Sequence, residues 1–87
     1  MGNIAEWSVY MVRCGDGSLY TGIAVDVAKR VALHNAGKGA KYTRAKLPVV
    51  LVWSVTMKTA SDARTAEVDV KRMTKKEKED FIKKCYS

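Results

Sequence analysis

The first quarter of the chain carries an apolar pattern that is typical of a β-hairpin. Residues 7–14, WSVYMVRC, are rich in β-branched and aromatic side chains, GDGS follows as a turn, and residues 19–24 read LYTGIA. Two such runs around a glycine-rich turn predict a pair of antiparallel strands. A third run, VVLVWSVT at residues 49–56, is apolar almost throughout, which favours a buried strand.

Helical spacing and capping residues predict three helices between and after these strands. Asp26 is placed to cap a helix that ends at Gly37, because glycine readily takes the left-handed conformation that follows a helix. Ser61 is placed to cap a second helix. Thr74 and Glu77, three residues apart, form a capping box for the last helix. The element order is therefore β-β-α-β-α-α.

These elements predict an α+β fold with a small three-stranded antiparallel sheet flanked by helices. The chain has 87 residues, 47% of them hydrophobic, and no repeat or linker interrupts it. We expect a single domain over residues 1–87, with a loose segment at residues 1–6. The longest uncharged run, residues 47–57, is far shorter than the roughly 20 residues that span a bilayer, and the chain opens without a leader pattern. A cytoplasmic protein without membrane contact is expected.

The two cysteines predict no metal centre. Cys14 lies in the first strand and Cys85 near the C-terminus, without the paired spacing of a zinc site. We expect both to be free thiols.

The excess of positive charge indicates a polyanionic partner. Sixteen basic residues stand against nine acidic ones, a net charge of +7, which favours nucleic acid, although acidic lipid would also satisfy it. Residues 29–46 contain no acidic residue, and we interpret this stretch as an anion-binding surface. Its basic residues are Lys29, Arg30, Lys38, Lys41, Arg44 and Lys46. The second basic stretch, residues 71–84, interleaves lysine with glutamate and fits a solvated helix face.

In the first predicted helix, two cationic side chains share the stripe that the valines occupy. Val27, Arg30, Val31 and His34 stand at i, i+3, i+4 and i+7. A structural interpretation is available, because Arg30 can extend its charged end to water and His34 can be hydrogen-bonded at the edge of the core. A functional interpretation is also open, since two donors one turn apart can hold a phosphate.

The second predicted helix places a carboxylate on its apolar face. Glu67 lies four residues after Ala63 and three before Val70. An unpaired carboxylate costs several kcal/mol to desolvate, so Glu67 needs a cationic partner or a metal ion. Arg30 is the candidate partner for a purely structural ion pair, which for Glu67 taken alone is the simpler interpretation.

The hairpin turn decides whether its two tyrosines share a face of the sheet. An even loop would pair Tyr10 with Ile23 and leave Tyr20 on the opposite face. A three-residue GDG loop with Gly17 left-handed would pair Tyr10 with Gly22 and align both tyrosines. The sequence permits this second register, which would bring two phenols, an arginine, a histidine and a carboxylate to one cleft.

This ordered set of residues resembles the GIY-YIG nuclease domain, and nearly the whole chain takes part in the match. SVY at residues 8–10 and YTG at residues 20–22 stand where the family has its two tripeptides, with the typical spacing between the tyrosines. Arg30 and His34 match the helical arginine and the histidine found one turn later in some members, and Glu67 matches the metal-binding glutamate. The chain looks most like the small stand-alone bacterial members.

The resemblance implies hydrolysis of phosphodiester bonds, in DNA more than RNA, with one divalent ion, normally magnesium, with manganese as an alternative. Glu67 would supply a metal ligand and Arg30 would stabilise charge on the phosphoryl oxygens. One phenolate, Tyr10 by preference or Tyr20, would deprotonate the attacking water while the other orients water or phosphate. Nearby cations would have to depress the tyrosine pKa from about 10. His34 would hold a tyrosine by a hydrogen bond.

The resemblance also implies a nucleic-acid surface of limited specificity. The residues expected to contact the backbone are Lys29, Lys38, Lys41, Arg44 and Lys46, with Tyr42 available for stacking. Many members carry an asparagine about twelve residues after the metal-binding glutamate, where this chain has Glu79. Without an accessory DNA-reading domain, cleavage would be structure-selective or weakly sequence-specific, unless a protein partner supplies specificity. A non-cleaving nucleic-acid-binding module on the same fold is the alternative, and the oligomeric state is open.

Overall fold

A computed structural model describes residues 6–86, so the predicted loose segment lies, apart from Glu6, outside the described residues. The strands are β1 (Trp7–Arg13), β2 (Leu19–Ala24) and β3 (Val50–Met57), and the helices are α1 (Val27–Asn35), α2 (Lys41–Arg44), α3 (Ala60–Lys71) and α4 (Lys75–Tyr86). The strands form one antiparallel sheet in the order β2-β1-β3. The predicted fold class and element order are confirmed, with one addition: the basic loop contains the single helical turn α2.

The hairpin has the three-residue loop that aligns the tyrosines. The Cys14 amide donates to the Ser18 carbonyl at 2.8 Å, and Gly17 has a φ of +86°. A side chain is strained at that φ, so glycine suits the position. Tyr10 lies opposite Gly22, and Tyr20 lies two residues from that pair on the same face. The register that the tyrosine hypothesis required is therefore present.

The prediction that the third strand is buried is wrong. Among residues 6–86, β3 pairs with β1 alone and forms an edge of the sheet, where Val50 is 61% exposed and Leu51 40% exposed. Trp53 is the β3 residue that is buried. An apolar run shows that a strand has a core-facing side, but it does not reveal how many neighbours the strand has, because pairing is decided by distant segments.

Most predicted helix ends are confirmed. Asp26 caps α1 by accepting from the Lys29 amide at 3.0 Å, and Gly37 follows that helix with a φ of +77°. Thr74 and Glu77 exchange side-chain to backbone hydrogen bonds of 2.8 and 3.1 Å before α4, as the capping box predicts.

The cap of the second predicted helix is two residues earlier than expected. Thr59, not Ser61, caps α3: its backbone is extended and its hydroxyl accepts from the Asp62 amide at 3.0 Å. Threonine and serine are both favourable N-cap residues, so the backbone conformation after β3 determines which of the two caps the helix.

The sheet separates two groups of buried side chains. The apolar cluster, on the side of α3 and α4, consists of Val9, Met11, Trp53, Ala63 and Val70. The tyrosine cluster, on the side of α1, consists of Tyr10, Val12, Cys14, Ala24 and Val49. Both cysteines are free thiols as expected, with Cys14 buried and Cys85 exposed. Within residues 6–86, each helix lacks the length and apolar content needed to cross a bilayer.

Candidate active site

The five residues proposed for catalysis and metal binding line one open cleft of about 250 Å³ beside β2. The cleft is lined by Tyr10, Tyr20, Gly22, Ile23, Arg30, His34, Gly39, Ala40 and Glu67. α1 supplies the arginine and histidine, α3 supplies the glutamate, and the hairpin supplies both tyrosines. Residues separated by as many as 57 positions in sequence (Tyr10 to Glu67) therefore meet in one place.

Two glycines make room for the side chains of this cleft. A Cβ at Gly22 would lie 2.7 Å from the Tyr10 hydroxyl oxygen, so only glycine lets that phenol extend across β2. A Cβ at Gly39 would overlap the His34 ring. The loop before α2 can close over His34 because this position has no side chain.

Tyr10 begins a buried chain of hydrogen bonds. Its hydroxyl lies 2.8 Å from Nε2 of His34, and Nδ1 of His34 lies 2.7 Å from the Thr43 hydroxyl. Thr43 in turn donates to the Ala40 carbonyl at 2.9 Å. Because the Thr43 hydroxyl has a single hydrogen, Nδ1 donates to it and Nε2 accepts from Tyr10. The Ala40 amide, 3.4 Å from Nδ1, favours the opposite tautomer, but that contact is long compared with the other three.

Burial keeps the tyrosine and the histidine of this chain neutral. It raises the pKa of Tyr10 to about 12, and Coulombic interactions with Tyr20 and Glu67 add to the effect. Arg30 lowers the Tyr10 pKa, but burial has the larger influence, so the prediction that nearby cations depress the tyrosine pKa is wrong for Tyr10. Burial and the Arg30 charge together lower the pKa of His34. At neutral pH the contact therefore joins a phenol to a neutral imidazole.

Tyr20 stands at the entrance of the cleft and is held by aromatic contacts. Its ring lies 5.4 Å from that of His34, edge on, and 5.9 Å from that of Tyr42, nearly parallel. The Lys46 ammonium lies 4.0 Å from the centre of the Tyr42 ring and 3.6 Å from the Asp16 carboxylate. Tyr42 and Lys46, predicted to bind nucleic acid, therefore also position Tyr20.

Glu67 remains accessible although it is paired. Its carboxylate lies 3.2 Å from the ammonium of Lys71, one turn along α3, and the predicted partner Arg30 instead extends from α1 into the cleft. The Lys71 side chain is 52% exposed and that of Glu67 18% exposed, so the pair does not seal the carboxylate.

The donor set fits a hydrated Mg²⁺ held by a single carboxylate. Among residues 6–86 there is no group of three or more histidine, cysteine, aspartate or glutamate side chains that could hold a metal. Mg²⁺ commonly keeps several waters and binds through one or two carboxylates plus substrate phosphate, which Glu67 at the wall of an open cleft satisfies.

Glu79, at the place of the family asparagine, is committed to a different contact. Its two carboxylate oxygens each accept from the Arg13 guanidinium at 2.7 Å, and this hydrogen bonding lowers the Glu79 pKa. The pair joins α4 to β1, and Glu79 is not among the residues that line the cleft. This position therefore supplies no polar group to the site.

The remaining basic residues of the predicted surface are solvent-exposed. Lys29, Lys38, Lys41 and Arg44 all have exposed side chains, and within the described part of the chain none of them forms an ion pair. Sequence reasoning missed Thr43 and Gly39, which support His34 from the neighbouring loop. Both lie in the segment HNAGKGAKYTR, but no spacing rule connects them to His34.

This fold and this cleft define a GIY-YIG domain. A sequence model of the GIY-YIG catalytic domain matches residues 6–80, and the chain belongs to that family. Membership indicates a nuclease-type function, with nucleic-acid binding and use of a divalent metal as general properties of the family.

Within the family, the chain is similar to small bacterial UPF0213 proteins. It is 47% identical to a UPF0213 protein from Cronobacter sakazakii, and the match covers 88% of this chain and 81% of the relative. It is 53% identical to a UPF0213 protein from Staphylococcus epidermidis, and that match covers 80% of this chain and 85% of the relative. The solution NMR structure of a protein from E. faecalis superposes with a TM-score of 0.64 at 36% identity, covering 99% of this chain and 92% of that one. The solution NMR structure of a UPF0213 protein from Bacillus halodurans superposes with a TM-score of 0.59 at 38% identity. That match covers 90% of this chain and 83% of the other.

Proposed function

We propose that this chain is a magnesium-dependent endonuclease that hydrolyses phosphodiester bonds of DNA with structure selectivity or weak sequence specificity. The observation that carries the proposal is the convergence of Tyr10, Tyr20, Arg30, His34 and Glu67 on one open cleft. Exposed lysines and arginines on and after α1 supply the charge that a phosphate backbone requires.

The residues of the cleft divide into charge stabilisation and proton transfer. Glu67 would hold the divalent ion, which would supply electrophilic stabilisation of the phosphate when bound. Arg30 neutralises charge that develops on the phosphoryl oxygens. Tyr20, at the entrance of the cleft, orients water or phosphate.

Tyr10 serves as the base together with His34. Because the Tyr10 pKa is about 12, a free phenolate is scarce at neutral pH, so the phenol accepts a proton from water while passing its own to Nε2 of His34. The products are hydroxide, an intact phenol and an imidazolium, whose Nδ1 proton is held by Thr43. The hydroxide then forms a bond to phosphorus while the P–O bond to the leaving sugar oxygen breaks. That oxygen takes a proton from solvent, and the His34 imidazolium gives its extra proton back to solvent, which restores the neutral pair.

Cleavage assays with matched variants test the proposal. The full chain is incubated with branched, nicked and single-stranded DNA, and with RNA, in the presence of magnesium or manganese. Glu67→Gln should lower the rate by about 100-fold or more. Asp69→Asn, an exposed carboxylate on the same helix, should cleave at the original rate. Equal cleavage by the original chain and Glu67→Gln would indicate a contaminant and contradict the proposal.

A non-cleaving nucleic-acid-binding module is the second candidate. It is favoured by the Lys71 ammonium, which lies 3.2 Å from one Glu67 carboxylate oxygen and competes with a metal ion for it, and by the commitment of Glu79 to Arg13. Tight binding of DNA by the original chain, without cleavage under any metal condition, would select this candidate.

A further inference from the structure

A second groove lies directly beside the cleft. Its volume is about 440 Å³, within the range of small-ligand sites. Its walls include Trp7, Val25, Asp26, Lys29, Arg30 and Leu33. Of these residues, Lys29 and Arg30 belong to the basic surface predicted for residues 29–46, and the others do not.

The groove continues the cleft along the same two elements. Arg30 lines both, Ala24 in the groove directly follows Ile23 in the cleft, and Leu33 precedes His34 on α1. A phosphate held by Arg30 in the cleft would therefore have its neighbouring nucleotide at the groove.

The groove combines apolar walls with positive charge. Val25 is 52% exposed and Leu33 38% exposed, and the partly exposed Trp7 adds an aromatic surface. Lys29 and Arg30 flank these walls. The one carboxylate, that of Asp26, caps α1 through the Lys29 amide.

This combination matches a nucleobase with its phosphate. A base offers a flat apolar face, which side chains cover favourably, while the attached phosphate attracts lysine and arginine. In a continuous duplex that face is covered by stacked neighbours, so only an unpaired nucleotide can lie against the walls.

We propose that this groove binds an unpaired nucleobase of the substrate, adjacent to the phosphate in the cleft. The inference rests on the proposed function, because it takes a phosphodiester as the occupant of the cleft. Binding of an unpaired base in the groove would make the chain prefer DNA with an unpaired nucleotide, such as a flap or a single-stranded end, over continuous duplex.

Metal-free binding measurements separate this inference from catalysis. The full chain carrying Glu67→Gln is titrated with two DNAs, one with an unpaired 2-aminopurine overhang and one fully paired, and fluorescence reports the base environment. Adding Val25→Thr and Leu33→Gln together should weaken binding of the overhang DNA by about tenfold and leave the paired DNA within about twofold. Val50→Thr, a matched exposed valine on the opposite sheet edge, should weaken neither.

Each result decides one of the two ideas. Equal weakening of both DNAs, or no weakening of either, overturns the groove as a nucleobase site and would direct attention to a peptide occupant. Selective weakening supports it even if the original chain fails to cleave any DNA, in which case the proposed nuclease function fails by itself.

Discussion

The two faces of β1 are buried by different kinds of contact. On one face, Val9 and Met11 are completely buried against Trp53 and α3, and the contacts are apolar. On the other, Tyr10 and His34 are just as inaccessible, at 2% and 1% exposure, but they are joined by a directional hydrogen bond.

This difference separates stability from site geometry. Apolar contacts are non-directional, so the apolar cluster stabilises the fold without dictating where a particular atom lies. Hydrogen bonds are directional, and a buried donor or acceptor that loses its partner is costly, so the chain from Tyr10 to Thr43 determines the orientation of the Tyr10 hydroxyl, the proposed base. We expect substitutions on the two faces to have different signatures.

The largest effect on stability should come from the apolar cluster. Met11→Ala removes a completely buried side chain and should lower the free energy of unfolding by about 2 to 5 kcal/mol. Chemical denaturation measures this, and the position of His34 NMR signals in the remaining folded protein should be nearly unchanged. A large change in those signals would show that the faces are not independent.

The next effect concerns Tyr10 at alkaline pH. The folded pKa of about 12 exceeds the unfolded value of about 10, so this group's contribution to stability is complete below pH 10 and is lost as pH rises towards 12. It amounts to about 3 kcal/mol. Denaturation of the original chain and Tyr10→Phe at several pH values should show the difference between them shrinking above pH 10. A constant difference would contradict the burial argument.

Thr43→Val tests the far end of the hydrogen-bond chain. The change keeps the shape but leaves Nδ1 of His34 without its hydroxyl partner, which should cost about 1 to 3 kcal/mol and lower any cleavage rate. Nitrogen chemical shifts of His34 should report loss of the Nδ1–H tautomer, and Thr43→Ser should restore it. An Nε2–H tautomer in the original chain would contradict the proposed direction of proton transfer.

The smallest effect is expected at the position of the family asparagine. Glu79→Asn breaks the ion pair between Glu79, whose side chain is 31% exposed, and Arg13, whose side chain is 37% exposed. Because the pair is close to solvent, the substitution should destabilise the chain by about 1 kcal/mol or less. Because Glu79 lies outside the cleft lining, the substitution should not raise the cleavage rate. A clear gain of activity would show that α4 reaches the site in the working complex.

Local patterns were sufficient for most elements of the fold. The GDG turn, Asp26 before α1 and the capping box before α4 each act through contacts within a few residues, and all three are confirmed. The burial of β3 and the start of α3 were predicted wrongly. Both depend on which segments meet in three dimensions, which composition does not encode locally.

The site shows the same division between local and distant information. Periodicity placed Arg30, His34 and Glu67 on the apolar faces of their helices, and the hairpin register placed Tyr10 and Tyr20 on one face of the sheet. The sequence by itself thus determined the family, the element order and five of the residues that line the cleft, while it left the hairpin register open and missed Gly39. Only the tertiary structure decided that Glu67 pairs with Lys71, that Thr43 directs His34, and that Tyr10 is buried. These features depend on distances and solvent access between separate elements, and such distances exist only once the chain has packed.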